Sequence, residues 1–393
     1  MNSAQSNTPP RKLLHVDGLR GVACLMVVLS HLALIFYPGL HDPTLINNNS
    51  IINFIFNSPL SFIYSGTAAV YIFFTLSGYI LTHAFLSGGD ILNNATTMTT
   101  KRYFRLAIPA TASCIFCWLV LSNATPGREL LSAWIQSYTV ASPSFLNALY
   151  SGAVSAFFGD GSAYNPVLWT MKIELLGSFL TYFICLVLIR APNKGLIILL
   201  FCIMFFVSSL PQKEKYGYIA FLFGSFIHFS GLNLRKGVAL ILMLAGLYLG
   251  GVHYGSRPYI YAIYYTRFYI NGEESNAYIL YNFISGVLIT LAILTNNSLK
   301  MFFAKKPFVY MGKVSFSVYL FHLPFFLIIA TGIFNAIYNA GYSYHESAIT
   351  ATILSIVTIY AVANLIFKAV DNPSMRFSSI LAKFLFKTPT RIS

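Results

Sequence analysis

The stretch LRGVACLMVVLSHLALIFY, residues 19–37, decides the fold class of this protein. A helix needs about 20 mostly apolar residues to cross the hydrocarbon of a bilayer. This run supplies them, with Arg20 as its one charged residue. The whole chain has the same character, because 56% of its 393 residues are hydrophobic and 9% are charged, against about 25% charged in soluble globular proteins. The composition therefore argues against a large soluble enzyme, a DNA-binding domain and a disordered scaffold.

Further apolar runs follow the first one along the chain. They lie at about 64–86, 105–122, 167–189, 196–210, 216–230, 237–252, 278–295, 314–334 and 347–369. Backbone polar groups must be paired within lipid, so such runs cross it as helices. The sequence thus predicts an all-α, polytopic integral membrane protein with about ten transmembrane helices. It also predicts a cytoplasmic tail at 1–14, a membrane-embedded domain at 15–376 and a second cytoplasmic tail at 377–393.

The basic residues predict the orientation of these helices. Lysine and arginine accumulate on the cytoplasmic side of membrane proteins, and the chain has 25 of them against 11 acidic residues, a net charge of +14. If the N-terminus is inside, most of them fall in inner segments. These are Arg11, Lys12, Arg20, Lys101, Arg102, Arg105, Arg190, Lys194, Arg235, Lys236, Lys300, Lys305, Lys306, Lys313, Lys368, Arg376, Lys383, Lys387 and Arg391. Both termini are therefore expected in the cytoplasm. The longest polar stretch, at about 123–166 and rich in serine, alanine, asparagine and glycine, is expected outside.

The composition predicts neither a nucleic-acid partner nor bound metal. Membrane topology accounts for the positive charge, so the basic surplus does not require a nucleic-acid partner. The five cysteines all lie in apolar runs, where they are typical of small buried side chains. We therefore expect neither a metal site nor a disulfide framework, and the partners should include membrane lipid.

Ionisable groups deep within apolar runs are the candidates for function, because charged groups in hydrocarbon are costly. His31 and His322 lie ~16 and ~13 Å along their helices from the inner face, and Glu174 lies ~12 Å from the outer face. Three separate helices thus bring two imidazoles and one carboxylate to a similar depth. Three interpretations are open: a shared active centre, a proton or ion relay, and unrelated hydrogen bonds between helices. The common depth favours the shared active centre, since histidine can take a proton from a hydroxyl and return it.

Six motifs occur in a fixed order along the chain. They are Asp17-Gly18-Leu19-Arg20-Gly21 followed by His31, FFTLSGY at 73–79, Arg102-Tyr103-Phe104-Arg105, WTMKIE at 169–174, SFSVYLFH at 315–322, and Asp371-Asn372-Pro373. With these motifs the chain resembles the acyltransferase-3 family of integral membrane acyltransferases. The resemblance implies transfer of an acyl group, most often acetyl, from cytoplasmic acyl-CoA to a hydroxyl on the far side of the membrane. The acceptor would be a surface polysaccharide or a lipid-linked glycan, and the location a bacterial inner membrane.

The resemblance also implies roles for the deep residues. His31 would be the general base that deprotonates the acceptor hydroxyl, with a transient acyl-imidazole as the alternative. Glu174 would orient His31 and stabilise its cation. His322 would hydrogen-bond the thioester oxygen or carry a second proton.

The donor is expected to dock on basic residues at the inner rim. Arginine pairs well with phosphate, so Arg102 and Arg105 are assigned to the phosphates of acetyl-CoA, together with Arg20. The alternative for all three is ordinary positive-inside anchoring, which needs no ligand. Ser77 is placed in the same donor site, where Ser77-Gly78 should allow close helix packing rather than supply a nucleophile.

A second function from another class stays open. A transporter or flippase for a glycan, a lipid or a proton-coupled solute could also use buried histidine and glutamate. It would move its substrate without covalent change and without acyl-CoA.

Overall fold

The computed structural model of the protein describes residues 13–46, 49–87, 91–123 and 125–386. Of the predicted inner basic residues, Arg11, Lys12, Lys387 and Arg391 lie outside these ranges, as do most of the predicted N-terminal tail and the end of the C-terminal tail. The helices are α1 (Leu14–Phe36), α2 (Ser50–Phe56), α3 (Gly66–Leu86), α4 (Ile91–Leu121), α5 (Ala133–Gln136), α6 (Phe145–Tyr150), α7 (Ala156–Phe158), α8 (Trp169–Leu188), α9 (Lys194–Phe206), α10 (Gln212–Ser230), α11 (Lys236–Gly250), α12 (Ile260–Tyr265), α13 (Ala277–Thr295), α14 (Asn297–Phe303), α15 (Lys306–Phe326), α16 (Ile329–Asn339), α17 (Tyr344–Ile366) and α18 (Asn372–Leu385). One antiparallel hairpin joins β1 (Tyr269–Ile270) to β2 (Glu273–Glu274).

Each of the ten predicted apolar runs contains a helix or most of one. In the described part of the chain, six helical segments are long and apolar enough to cross a membrane, and α15 with α16 makes a seventh if this pair, bent by 43°, is one span. Helices α9 and α11 have 13 and 15 residues, which is short for a span. Helix α10 begins with the charged residues Lys213-Glu214-Lys215. The all-α membrane fold is therefore confirmed, whereas the count of ten spans and the cytoplasmic termini stay predictions.

Glycines bring helix α1 into backbone contact with its neighbours. A Cβ placed on Gly312 of α15 would lie 1.8 Å from the carbonyl oxygen of Asp17, and one on Gly18 would lie 1.8 Å from that of Phe303. Side chains larger than hydrogen do not fit at such contacts, which are typical of helices packed in membranes. Helices α1 and α15, which carry the two deep histidines, are thus held at a fixed separation.

The described part of the longest polar stretch of the sequence, residues 125–166, packs against helix α4. The ring centroid of Phe145 lies 5.4 Å from that of Trp118, and the Phe157 ring lies 5.4 Å from the Tyr103 ring. The stretch therefore runs down ~22 Å of α4, since each helical residue rises 1.5 Å. It includes a π-helical turn, Ser151–Ser155. The chain then turns back along α4, and α8 starts beside the middle of that helix. There the Nδ2 atom of Asn165 donates to Ser113 at 3.0 Å.

The C-terminal helices close the bundle next to α4. Helix α17 continues through a π-helical turn, Phe367–Asp371, into α18. The Phe377 ring packs against Phe104 of α4 with centroids 5.9 Å apart. Residues 377–385, which the sequence places in a tail, are therefore part of a packed helix. The π-helical turn before this helix brings Asp371 into the interior of the bundle.

Candidate active site

Helices α1 and α15 bring the two deep histidines together. The Nε2 atom of His322 lies 3.0 Å from the Nδ1 atom of His31, and the ring centroids are 4.9 Å apart. His322 has no exposed surface, whereas His31 is half-buried. The predicted convergence of these two imidazoles is thus present in the structure.

Hydrogen bonds to the backbone fix which ring nitrogens carry protons. The Nδ1 atom of His322 lies 2.8 Å from the carbonyl oxygen of Tyr319 and 3.1 Å from that of Val318, so this nitrogen donates. In the neutral ring Nε2 is then an acceptor, and it receives the Nδ1–H of His31. The same His31 nitrogen lies 3.0 Å from the carbonyl oxygen of Val27. This assignment, made from the hydrogen bonds, leaves the lone pair of His31 on Nε2.

A cavity of about 170 Å³ lies on the side of the bundle that the sequence predicts to be inner. Its walls come from α1, α3, α4, α8, α15 and the C-terminal helices. The charged or polar side chains that line it include Arg20, Ser77, Arg102, Arg105, Thr170, Glu174, Lys313, Ser315, Tyr319, Asp371 and Ser374. Four basic residues thus face two carboxylates, which makes the cavity suitable for an anionic ligand. We call it the basic cavity.

Glu174 lies in the basic cavity and not beside His31. Its Oε1 atom accepts a hydrogen bond from Ser77 at 2.7 Å and forms an ion pair with Arg102. The Nε atom of Arg102 also donates to Ser178 at 2.7 Å. The expected support of His31 by Glu174 is therefore corrected: His322 contacts the imidazole, and Glu174 fixes Arg102. The sequence prediction counts the depth of Glu174 from the outer face of the membrane, but α8 starts inside the bundle.

The remaining cations of the basic cavity are more accessible. Arg105 and Lys313 are exposed at its wall, and Arg20 is half-buried. The Nζ atom of Lys313 lies 5.4 Å from the centre of the Phe367 ring. Asp371 is 6% exposed and accepts a hydrogen bond from Ser317 at 2.8 Å. Arg105 and Lys313 are thus better placed than Arg102 to meet a ligand.

Tyr319 connects the basic cavity to the histidine pair. Its side chain lines the cavity and donates to the carbonyl oxygen of Val167 at 2.9 Å, and its hydroxyl lies 2.9 Å from that of Thr170. Its own carbonyl oxygen accepts the proton of His322 Nδ1, and the Tyr319 and His322 ring centroids lie 6.2 Å apart. One residue therefore separates the cavity from His322.

Comparison with known proteins identifies the family. A family model described as an acyltransferase domain matches residues 13–367. The chain belongs to the acyltransferase-3 family. Among curated proteins, this acyltransferase-3 chain is similar to O-acetyltransferase PaAT-1 of Phomopsis amygdali, with 26% identity over 271 residues, which are 61% of this chain and 53% of that protein. The chain thus spans about half the length of this relative. No solved structure matches the chain.

A second histidine pair of this acyltransferase-3 protein lies next to the first. The Nε2 atom of His41 is 3.2 Å from the carbonyl oxygen of Ser30, and its Nδ1 atom is 3.4 Å from Nε2 of His253. Burial and, to a smaller extent, the neighbouring His253 lower the pKa of His41 to about 3. The His41 imidazole is therefore neutral near pH 7. Its hydrogen bond to Ser30 links the segment after α1 to the residue before His31.

Several residues at the site have no clear signal in the sequence. Lys313 appears there only as one of many inner basic residues, and Tyr319 only as part of a motif. Trp134 lies in the polar stretch that has no helical periodicity, yet its ring centroid is 5.7 Å from that of His31. Contacts between distant segments determine these positions, so sequence spacing alone would not find them.

Proposed function

We propose that this protein is a membrane-bound O-acyltransferase. It moves an acyl group, acetyl in the simplest case, from cytoplasmic acyl-CoA to a hydroxyl of a surface polysaccharide or lipid-linked glycan on the far side of a bacterial inner membrane. The observation that carries the proposal is the His31–His322 pair, whose hydrogen bonds leave a basic nitrogen on His31, while Tyr319 separates His322 from the basic cavity. Family membership supports acyl transfer as the reaction.

The basic cavity is the proposed donor site. Coenzyme A carries several phosphate charges, which stay at the inner rim while the neutral thioester arm extends inward. Arg105 and Lys313 are exposed at the cavity wall and supply charge-assisted hydrogen bonds to phosphate. Glu174 holds Arg102 in place, so this arginine contributes a fixed positive charge, and Ser77 completes the shell around Glu174. Glu174 and Ser77 are therefore positioning residues.

His31 acts as the general base in the proposed reaction. Its Nε2 atom takes the proton of the acceptor hydroxyl while the hydroxyl oxygen attacks the thioester carbonyl carbon. The new C–O bond forms, the C–S bond breaks, and the proton passes from His31 to the thiolate of coenzyme A. The products are the O-acyl ester and free coenzyme A. His322 accepts the Nδ1–H bond throughout and so keeps the imidazole in the reactive tautomer.

A labelled donor tests this proposal. Membranes that contain the protein are incubated with acetyl-CoA labelled in the acetyl group, and the label is followed into the polysaccharide fraction. We expect transfer with the wild type, and loss of about 10²–10⁴-fold with His31→Ala, the usual contribution of a general base. The matched control is His83→Ala, because His83 is also half-buried in a helix but lies next to His228.

The same assay distinguishes the enzyme from a transporter. A transporter or flippase would leave acetyl-CoA intact. Equal transfer by wild type and His31→Ala at matched protein levels would contradict the role of His31. Absence of label from any acceptor, with mass spectra of surface polysaccharides unchanged when the protein is removed, would contradict the enzyme itself.

A further inference from the structure

An indole ring covers part of the proposed catalytic base. The Trp134 ring lies 5.7 Å from the His31 ring between centroids, with the two planes inclined by 34°. His322 occupies another side of the same imidazole, at 4.9 Å. His31 is therefore flanked by a histidine of the helical bundle and by a tryptophan of the stretch 123–166.

The position of Trp134 is fixed by the short helix α5. The backbone N–H of Ser132 donates to the carbonyl oxygen of Ile35 at 3.3 Å, which ties α5 to the end of α1. The Nη1 atom of Arg128 donates to the carbonyl oxygens of Ile135 and Tyr138, each at 2.9 Å. Ile135 has no exposed surface, so α5 is anchored in the core. These contacts together hold the Trp134 indole beside the His31 ring.

Access to His31 differs from access to the basic cavity. His31 is half-buried but does not line that cavity, so its accessible surface opens elsewhere. Trp134 is also half-buried, and it comes from a segment that the sequence predicts to be outside. The rings of the base and of the indole are therefore neighbours, and each of the two residues keeps some accessible surface.

We propose that Trp134 is the acceptor-recognition residue of this protein and that its ligand is a pyranoside ring. This inference rests on the proposed function and names the acceptor class for the same base. A sugar ring has an apolar C–H face and hydroxyls at its edge, and an aromatic ring offers an apolar face to match it. When the sugar stacks on the exposed part of the indole, one edge hydroxyl reaches His31.

Trp134 also discriminates between the acceptor and water. Water can attack the thioester carbonyl carbon in the same way as a sugar hydroxyl. The C–S bond breaks to give acetate and free coenzyme A, with one proton of the water on sulfur and the other released to solvent. Water gains nothing from stacking on an indole, and the apolar ring reduces the water next to His31. Removal of the ring should therefore slow transfer to a sugar and speed hydrolysis of the donor.

The first test measures both reactions with purified full-length protein in lipid vesicles. Labelled acetyl-CoA is the donor, and methyl glucopyranoside and the acyclic polyol sorbitol are the acceptor probes. For Trp134→Ala we expect kcat/KM for the pyranoside to fall about tenfold, the effect of one aromatic contact, and hydrolysis without acceptor to rise severalfold. Trp134→Phe should retain most of the preference for the ring. The matched control is Trp118→Phe, because Trp118 packs against Phe145 away from the histidines.

The second test does not depend on activity. The chain has three tryptophans, Trp118, Trp134 and Trp169, so the double variant Trp118→Phe/Trp169→Phe leaves Trp134 as the sole indole emitter. We expect a saturable change of its emission with methyl glucopyranoside and none with sorbitol.

The possible results are distinguishable. Unchanged pyranoside kinetics and unchanged hydrolysis in Trp134→Ala would overturn the inference, as would equal emission changes with both probes. If the wild type neither transfers nor hydrolyses, the proposed function fails, and the emission titration still decides whether Trp134 binds a sugar ring.

Discussion

His322 should contribute to the reaction through His31, and its replacement gives a quantitative test of the hydrogen-bond chain. In His322→Leu the Nδ1–H of His31 loses its partner at 3.0 Å. A buried donor left without a partner costs ~1–3 kcal/mol. The carbonyl oxygen of Val27, also at 3.0 Å, keeps part of that interaction. We therefore expect a cost near the lower end, ~1.4 kcal/mol, which is about tenfold in kcat.

The assay is the steady-state rate of acetyl transfer, with kcat and the KM for acetyl-CoA measured separately. His322 does not line the basic cavity, so the KM for acetyl-CoA should be unchanged. His322→Gln should recover much of the rate, because the amide can accept from His31 and donate to the carbonyl oxygen of Tyr319. The reasoning is refuted if His322→Leu is as inactive as His31→Ala, since His322 would then act directly on the reacting groups. An unchanged kcat in His322→Leu would refute it equally.

Three further predictions concern the donor site, the contact between helices α1 and α15, and the second histidine pair. Arg105→Ala and Lys313→Ala should each raise the KM for acetyl-CoA about tenfold, the loss of one charge-assisted contact, and unaltered KM values would contradict phosphate docking. Gly312→Ala should destabilise the fold by ~1–3 kcal/mol or more, because its Cβ would lie 1.8 Å from a carbonyl oxygen. Thermal unfolding measures this, with Gly237→Ala as the control, since nothing lies within 4 Å of a Cβ there. The pKa of His41 is lowered to about 3, and the unfolded chain protonates it below about 6.5. The unfolded state thus binds more protons between these values, so stability falls as the pH drops from 6.5. The unfolding temperature should decrease in acid and His41→Gln should reduce the decrease, whereas an unfolding temperature insensitive to acid would count against the burial of His41.

The sequence predicts the histidine pair because depth along a helix can be counted. His31 and His322 are both measured from the inner face on helices that run through the bundle, so their similar depth corresponds to a real contact. Depth does not give the direction in which a side chain points, however. Glu174 has a comparable predicted depth, but it turns toward Arg102.

The error for Glu174 has a second physical cause. The prediction takes the stretch before α8 as an outer loop, because serine, asparagine and glycine are typical of loops. In the structure that stretch packs along α4, and its polar groups are paired internally, as for Asn165 with Ser113. Local composition does not reveal such pairing, since the partners are distant in sequence. The contact between Trp134 and His31 cannot be predicted from the sequence for the same reason.

Tyr319 forms a thin barrier between the basic cavity and the histidine pair. This barrier determines how the transmembrane voltage acts on the reaction. Where two aqueous spaces approach each other across a membrane protein, the transmembrane voltage falls mainly over the short gap between them. Moving one elementary charge through that gap involves ~2.3 kcal/mol per 100 mV. In the proposed reaction the thioester arm that passes Tyr319 is neutral, and the phosphates of its carrier stay on the inner side. The thiol that returns carries the proton of the acceptor hydroxyl and is also neutral. Transfer across the bilayer would then need no electrical work and would proceed equally well in energised and de-energised cells.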